Sequence, residues 1–423
     1  MSQTPFRTVT SEGTEILVEP LPHVKSCAVG FWVRRGSRHE GAAEEGLAHF
    51  LEHTVFKGTE AYPTPDELAE ATDRLGGHVD AFTGKEVACF YGKVLSDQLP
   101  ELVHLLGELV TAPRFDDEEL VRERGVILEE IAQSEDQADD WVSELFYGGF
   151  WEGTPLAHPI LGRPEQVSAY GSREARAFFD HTYRAPNLVV AAAGAIHPEA
   201  FHRLLEPILG KLPGGSAQAP GEQARTRPFL LNTPRKDLQQ ANIVMGFPAP
   251  DHRSPDRAAA HLLSHVLGGG MASRLFMELR ERRGLCYQVG SYLSPYADTG
   301  ALQISASCAP TQLRELVSRT LAECARIRAK GVASDELERA KLQARTGLVF
   351  SQESSSSRMF SLAHQAIHHG ELRSLDQQMA EIEVVTPGDL MRVACDLLDP
   401  AQLGLSVLGT RRGCDIRPQD LVA

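Results

Sequence analysis

Ala48-His49-Phe50-Leu51-Glu52-His53 recurs 212 residues later as Ala260-His261-Leu262-Leu263-Ser264-His265. Each copy follows an apolar run of strand character, Cys27–Val33 before the first and Ala241–Phe247 before the second. The offset is half of the 423-residue chain, so the sequence reads as an internal duplication. Between the copies, Leu212–Glu222 and on to Pro228 is crowded with Pro, Gly, Ser and Gln and has no apolar period, the composition of a flexible linker. The expected organisation is two related domains, 1–211 and 229–423, joined by the linker 212–228.

Periodicity and capping signals fill in the elements. Strands are expected at 14–19, 27–34, 77–83, 87–94 and 188–195, and helices at 44–57, 97–111, 116–137 and 172–181. Thr64-Pro65-Asp66-Glu67 combines an N-cap, a proline at the first helical position and a capping-box glutamate, which predicts a helix reaching about residue 75. After the linker the order recurs, with strands at 241–246, 286–293 and 300–307 and helices at 255–267, 272–282, 310–330 and 334–351. The serines at 354–357 read as a helix start. Short strands running with helices, twice over, give an α+β fold of two structurally related halves, each a mostly antiparallel sheet flanked by helices.

Composition narrows the function classes. Lys+Arg total 42 and Asp+Glu 57, a net charge of −15 with a pI near 5.5. Nucleic-acid binding needs clustered cations, so this balance argues against it and suits neutral or basic peptide partners. Hydrophobic residues at 42% and charged residues at 23% exclude disorder and coiled coil as whole-chain descriptions. The seven cysteines are scattered with no C-x-x-C pair, which fits a reducing compartment rather than a disulfide framework. The N-terminus lacks an apolar signal core, and no run of 18 apolar residues occurs. A cytoplasmic location with no membrane attachment is expected.

The chemistry lies in His49-x-x-Glu52-His53. On a helix, positions i, i+3 and i+4 share one face, so two imidazoles and a carboxylate converge. The order is the reverse of the H-E-x-x-H zinc motif. Catalytic zinc takes three protein ligands and keeps one position open, and Glu52 would then be the general base acting on water. A third ligand is expected from Val121–Ile131, where Glu123 and Glu130 stand seven apart on one helix face. Either could ligate, the other holding a histidine ring from behind. The second half has Ser264 in place of Glu52 and no carboxylate in Leu342–Gly347, so no metal site is expected there. His364 and His368 share the i, i+4 spacing with nothing nearby to complete a site. Gly268-Gly269-Gly270 lacks a P-loop's Lys-Ser/Thr ending and reads as a turn.

Gly46–Thr59 resembles the zinc helix of the pitrilysin/insulinase family of zinc metallopeptidases, the inverzincins, and is closest to the mitochondrial-processing-peptidase-like bacterial branch. Glu130 follows His53 by 77 residues, the spacing the resemblance implies for the third ligand. It therefore implies His49, His53 and Glu130 as ligands of one Zn2+ per chain, Glu52 as base and Glu123 as a supporting acid. Two further matches carry the likeness into the rest of the chain. Arg280 and Tyr287, seven apart in Leu279–Tyr287, match a pair implied to steady the substrate carbonyl and its oxyanion. Gly76–Thr83 matches an edge strand that pairs with extended substrate, here through Asp80, Ala81 and Phe82. The family often has Asn-Ala where this chain has Asp80-Ala81, which leaves backbone pairing open to it. The resemblance implies an endopeptidase acting on extended or unfolded peptides in a chamber enclosed by the two halves, and family members of this length act as dimers. One chain carrying both the zinc set and the Arg/Tyr pair favours a homodimer over a heterodimer with a homologous chain. The rival reading is a non-catalytic peptidase-like subunit that binds peptide or a partner chain; such chains lose ligands that this one retains.

Overall fold

The computed structural model describes residues 5–215, 221–410 and 415–421. In chain order the strands are β1 (Phe6–Val9), β2 (Glu15–Pro20), β3 (Ser26–Val33), β4 (His78–Thr83), β5 (Ala88–Leu95), β6 (Leu188–Gly194), β7 (Phe229–Pro234), β8 (Ala241–Pro248), β9 (Cys286–Pro295), β10 (Gly300–Cys308) and β11 (Gly404–Gly409). The helices are α1 (Leu47–Thr54), α2 (Pro65–Arg74), α3 (Leu99–Thr111), α4 (Asp117–Asp136), α5 (Ala138–Phe150), α6 (Pro164–Val167), α7 (Ser172–Thr182), α8 (Pro198–Leu209), α9 (Arg257–Gly268), α10 (Leu313–Lys330), α11 (Ser334–Ser351), α12 (Ser355–His364), α13 (Leu375–Glu383) and α14 (Pro387–Leu397).

The strand orders preserve the duplication. One sheet runs β1-β2-β6-β3-β5-β4 and the other β7-β11-β8-β10-β9. Without β1 the two are the same path: a parallel pair (β2 with β6, β7 with β11) followed by antiparallel neighbours. The α+β expectation of two related, mostly antiparallel sheets is met.

Two compact units contain these sheets. The first takes the described residues up to Ala132, with His158–Glu222 and Phe350–Ser374. The second takes Gln133–Ala157, Gln223–Val349 and the described residues from Leu375 onward. Each unit thus includes a segment from the other half of the sequence. The expected linker lies partly outside the described residues, at 216–220.

In the first unit, β3 shows why the exchange matters. Cys27, Val29, Phe31 and Val33 face a core completed by α1, α3, α7 and α8, while Ala28 and Trp32 face Met359, Leu362 and Ala363 of α12. A strand covered on both faces reads as a continuous apolar run, as Cys27–Val33 does. Trp32 meets Phe360 edge to face, with centroids 5.7 Å apart. The second unit repeats the arrangement by itself. Ile243, Met245 and Phe247 of β8 face α9, α10 and α14, and Val244 faces Val142, Phe146 and Phe150 of α5.

Local signals decided several boundaries. Thr64 caps α2 and forms the expected reciprocal box with Glu67, and Ser354 accepts from the Ser357 N–H at the start of α12. The helix expected at 44–57 is shorter, because Gly46 adopts a left-handed φ of 89° and Val55–Lys57 tightens into a 3-10 turn. A side chain at Gly46 would come within 2.6 Å of the Gly162 Cα, so only glycine fits. The helix expected at 272–282 is mainly a π-helical turn, Phe276–Glu281. Among the described residues no helix is long and apolar enough to cross a membrane.

Candidate active site

α1 buries Leu47, Ala48, Phe50 and Leu51 in the core of the first unit, which turns His49, Glu52 and His53 the other way. The two imidazoles, one turn apart, have ring centroids 4.5 Å apart. α4 is held by Leu120, Ile127 and Ile131, and the same periodicity brings Glu123 and Glu130 to the histidines. The two acids that helix spacing left open take different places. Glu130 Oε2 lies 3.6 Å from His49 Nε2 and 3.4 Å from His53 Nε2, whereas Glu123 Oε1 lies 2.8 Å from His53 Nδ1.

The donor set suits zinc. The ligand atoms of His49, His53 and Glu130 lie within 4.8 Å of one another. A tetrahedral ion with bonds of about 2.0–2.1 Å has ligand-to-ligand edges of about 3.4 Å, close to the two distances that Glu130 makes. Among the described residues Glu130 Oε2 is buried with no hydrogen-bond partner, and so is Glu52 Oε2. Buried acceptors without partners are costly, and a divalent cation answers the first of them.

Electrostatics supports the same assignment. Burial, with His53 beside it, pushes the His49 imidazole down to about 3, so the ring stays neutral, as a ligand must be. Burial also lowers His53, but its hydrogen bond to Glu123, with the nearby Glu130 and Glu52 charges, outweighs this and raises it. Glu123 is raised by burial and lowered further by His53 and Lys57, whose Nζ lies 2.7 Å from its Oε2. The pairing makes Nδ1 of His53 the donor to Glu123 and leaves Nε2 as the lone-pair face toward Glu130. Burial raises Glu52, opposed by its hydrogen bond with Thr83, while Glu130 and Asp80 raise it further. A carboxyl raised above its ordinary range is suited to taking a proton near neutral pH.

Thr83, Lys57 and Glu40 belong to this neighbourhood and were not picked out from the sequence. Thr83 Oγ1 also lies 3.4 Å from the Ala48 carbonyl, tying β4 to α1. Lys57 stands four residues beyond His53, so the helical spacing that found His53 could have suggested it. Glu40 receives the Ala48 and Gly46 N–H groups at 2.7 and 2.8 Å, and nothing in its local sequence signals that.

Asp80, Ala81 and Phe82 lie on β4, which among the described residues is a sheet edge paired only with β5. Asp80 Oδ1 accepts the Ala81 N–H at 2.8 Å, and Asp80 Oδ2 accepts from the Tyr91 hydroxyl at 3.3 Å. Phe82 packs beside Tyr91 and Phe360. Arg280 and Tyr287 come together in the second unit, where the guanidinium lies 4.9 Å from the Tyr287 ring centroid and 4.7 Å from that of Phe276. Tyr287 is 71% exposed. His261 is held below its ordinary range by burial and by Arg257. The His364 and His368 rings lie tilted to each other in the first unit, with centroids 4.7 Å apart.

Residues 15–164 match the family model for insulinase, peptidase family M16, and residues 172–344 match that for the peptidase M16 inactive domain. An uncharacterised zinc protease of Mycobacterium tuberculosis is 35% identical over 99% of this chain and 96% of its own length. A second, from Bacillus subtilis, is 34% identical over 90% of this chain and 92% of its own. Among solved structures, a protease from Helicobacter pylori superposes with a TM-score of 0.89 at 20% identity, covering 96% of this chain and all of that one. A peptidase M16 inactive domain from Pseudomonas fluorescens gives 0.90 at 22% identity, covering 96% and 98%. At those identities the two structures speak for the fold, while the sequence relatives and the family models carry the kinship. The chain belongs to the pitrilysin/insulinase family of zinc peptidases, peptidase family M16.

Proposed function

We infer that the protein is a zinc-dependent endopeptidase that hydrolyses extended or unfolded peptides. The observation that carries the reading is the convergence of His49 Nε2, His53 Nε2 and Glu130 Oε2 beside the partnerless Glu52 Oε2. His49, His53 and Glu130 hold one zinc ion per chain. When bound, zinc polarises the scissile carbonyl and makes water acidic enough to be deprotonated near neutral pH. Glu52 Oε2 takes the proton from the attacking water and delivers it to the leaving amine. β4 offers its free edge to an extended peptide near Asp80–Phe82, in the manner of an added strand. Arg280 and Tyr287 donate to the oxyanion, for which a guanidinium and a phenol are both suited. The working unit is a homodimer in the cytoplasm.

Purified protein tests this with metal analysis and an unfolded peptide library. About one zinc per chain is expected, with cleavage that is lost to a chelator and recovered with zinc. Glu52→Gln should retain zinc and lose roughly 10²–10⁴ in rate. Wild-type cleavage by Glu52→Gln would overturn the reading. Zinc with peptide binding but no cleavage would favour the non-catalytic subunit instead.

A further inference from the structure

We propose that Glu40 is a positioning residue of the metal centre: its carboxylate sets the direction of α1 and through it the aim of His49. The proposal rests on the reading of His49, His53 and Glu130 as a zinc site.

α1 has only eight residues, about two turns, and a helix that short is marginal by itself. Its first N–H groups have no partners within the helix, and its N-cap is Gly46, which has no side chain to supply one. Glu40 supplies it from outside. One carboxylate oxygen accepts the Gly46 N–H at 2.8 Å and the other the Ala48 N–H at 2.7 Å. The Leu47 N–H between them goes to the Glu44 carbonyl at 3.0 Å. The Glu40 carboxyl also sits at the positive end of the helix dipole, which favours its charged form.

The two histidines are supported differently. His53 is gripped at Nδ1 by Glu123, which fixes both ring and tautomer. His49 has no counterpart among the described residues, where its Nδ1 is buried with no hydrogen-bond partner. Its direction therefore comes from packing and from the backbone one residue after Ala48. Two hydrogen bonds to one rigid carboxylate fix a rotation about the helix axis as well as a distance. Gly46, wedged against Gly162, leaves little room for that end of the helix to shift. Lys85 supplies a nearby positive charge and Glu44 a negative one.

The geometry needs two acceptors. A glutamine has one, and its amide would turn a donor toward a backbone donor. The test compares full-length wild type, Glu40→Gln, His49→Ala and Thr64→Ala in one buffer at about pH 8.5, above the value of about 8 to which burial pushes the Glu40 carboxyl. Zinc affinity is read by chelator competition, coordination by the visible spectrum of the cobalt(II)-substituted protein, and stability by melting of the metal-free chain. Glu40→Gln is expected to bind zinc 10- to 100-fold more weakly and to show an altered cobalt spectrum. Thr64→Ala, which removes the α2 cap, should melt earlier with zinc affinity unchanged, so lost stability alone does not mimic the effect. Unchanged affinity and spectrum in folded Glu40→Gln, beside lost affinity in His49→Ala, would overturn this proposal and leave the zinc site standing. A wild type that binds no zinc ends both. If Glu40→Gln does not fold, Glu40→Asp is read in the same way, and failure of both to fold assigns Glu40 to the fold alone and overturns the proposal.

Discussion

Glu123 Oε1 lies 2.8 Å from Nδ1 of His53, on the side of the ring away from Glu130. One acid of α4 therefore holds a histidine from behind while the other, seven residues on, meets the Nε2 atoms of both. Glu123→Gln should keep the fold and the zinc, but with affinity weakened about 10- to 100-fold. Chelator competition measures it, and an unchanged affinity would mean that Glu123 serves only the packing of α4 and its ion pair with Lys57.

Metal removal should be visible in stability. Ligand that binds only the folded state adds about 4 kcal/mol when present at a thousand times its dissociation constant. Saturating zinc should therefore raise the melting midpoint of wild type, and a chelator should reverse the gain. Glu130→Gln should show little response to either, which calorimetry with and without zinc can establish.

Ala81 should matter through its backbone. Its N–H is met by Asp80 Oδ1 rather than by β5, so it is the edge donor that an incoming strand would meet. Ala81→Pro removes that donor. The expected result is a raised KM for peptides with zinc content unchanged, read by steady-state kinetics and metal analysis together.

Glu40 also predicts a pH trend. Burial pushes its carboxyl from 4.5 up to about 8, opposed by the Ala48 and Gly46 amides and by Lys85. The folded chain then keeps a proton that the unfolded chain releases. Stability from this group is fully present below about 4.5 and is lost as pH rises toward about 8. Urea unfolding of metal-free wild type should accordingly lose ground to Glu40→Gln between those limits. A flat difference would show that Glu40 titrates normally.

The exchanged helix is open to a packing test. Met359 is fully buried against the sheet of the first unit, beside Trp32 and Ala191. Met359→Ala should destabilise that unit by about 2–5 kcal/mol. Denaturant unfolding followed through the tryptophans would detect it, and a loss below about 0.5 kcal/mol would mean that α12 is only loosely attached.

What the sequence determined by itself were features with a local period. His49, Glu52 and His53 share a helix face because of their spacing, and the strand runs before each histidine pair announced the repeated sheets. Thr64 and Glu67 marked the start of α2 because a capping box is closed within four residues. Helix spacing by itself left Glu123 and Glu130 open, since both lie on the same face of α4; the family resemblance implied Glu130, and the arrival of α4 against α1 brings Glu130 to both Nε2 atoms and Glu123 to Nδ1 of His53. Tertiary structure likewise decided that Glu40 would cap α1, that Thr83 would reach Glu52, and that α5 and α12 would each cover a sheet belonging to the other half of the chain. Those contacts join segments whose separation along the chain carries no periodic trace. They follow from which buried surfaces remain to be covered once the local elements have formed.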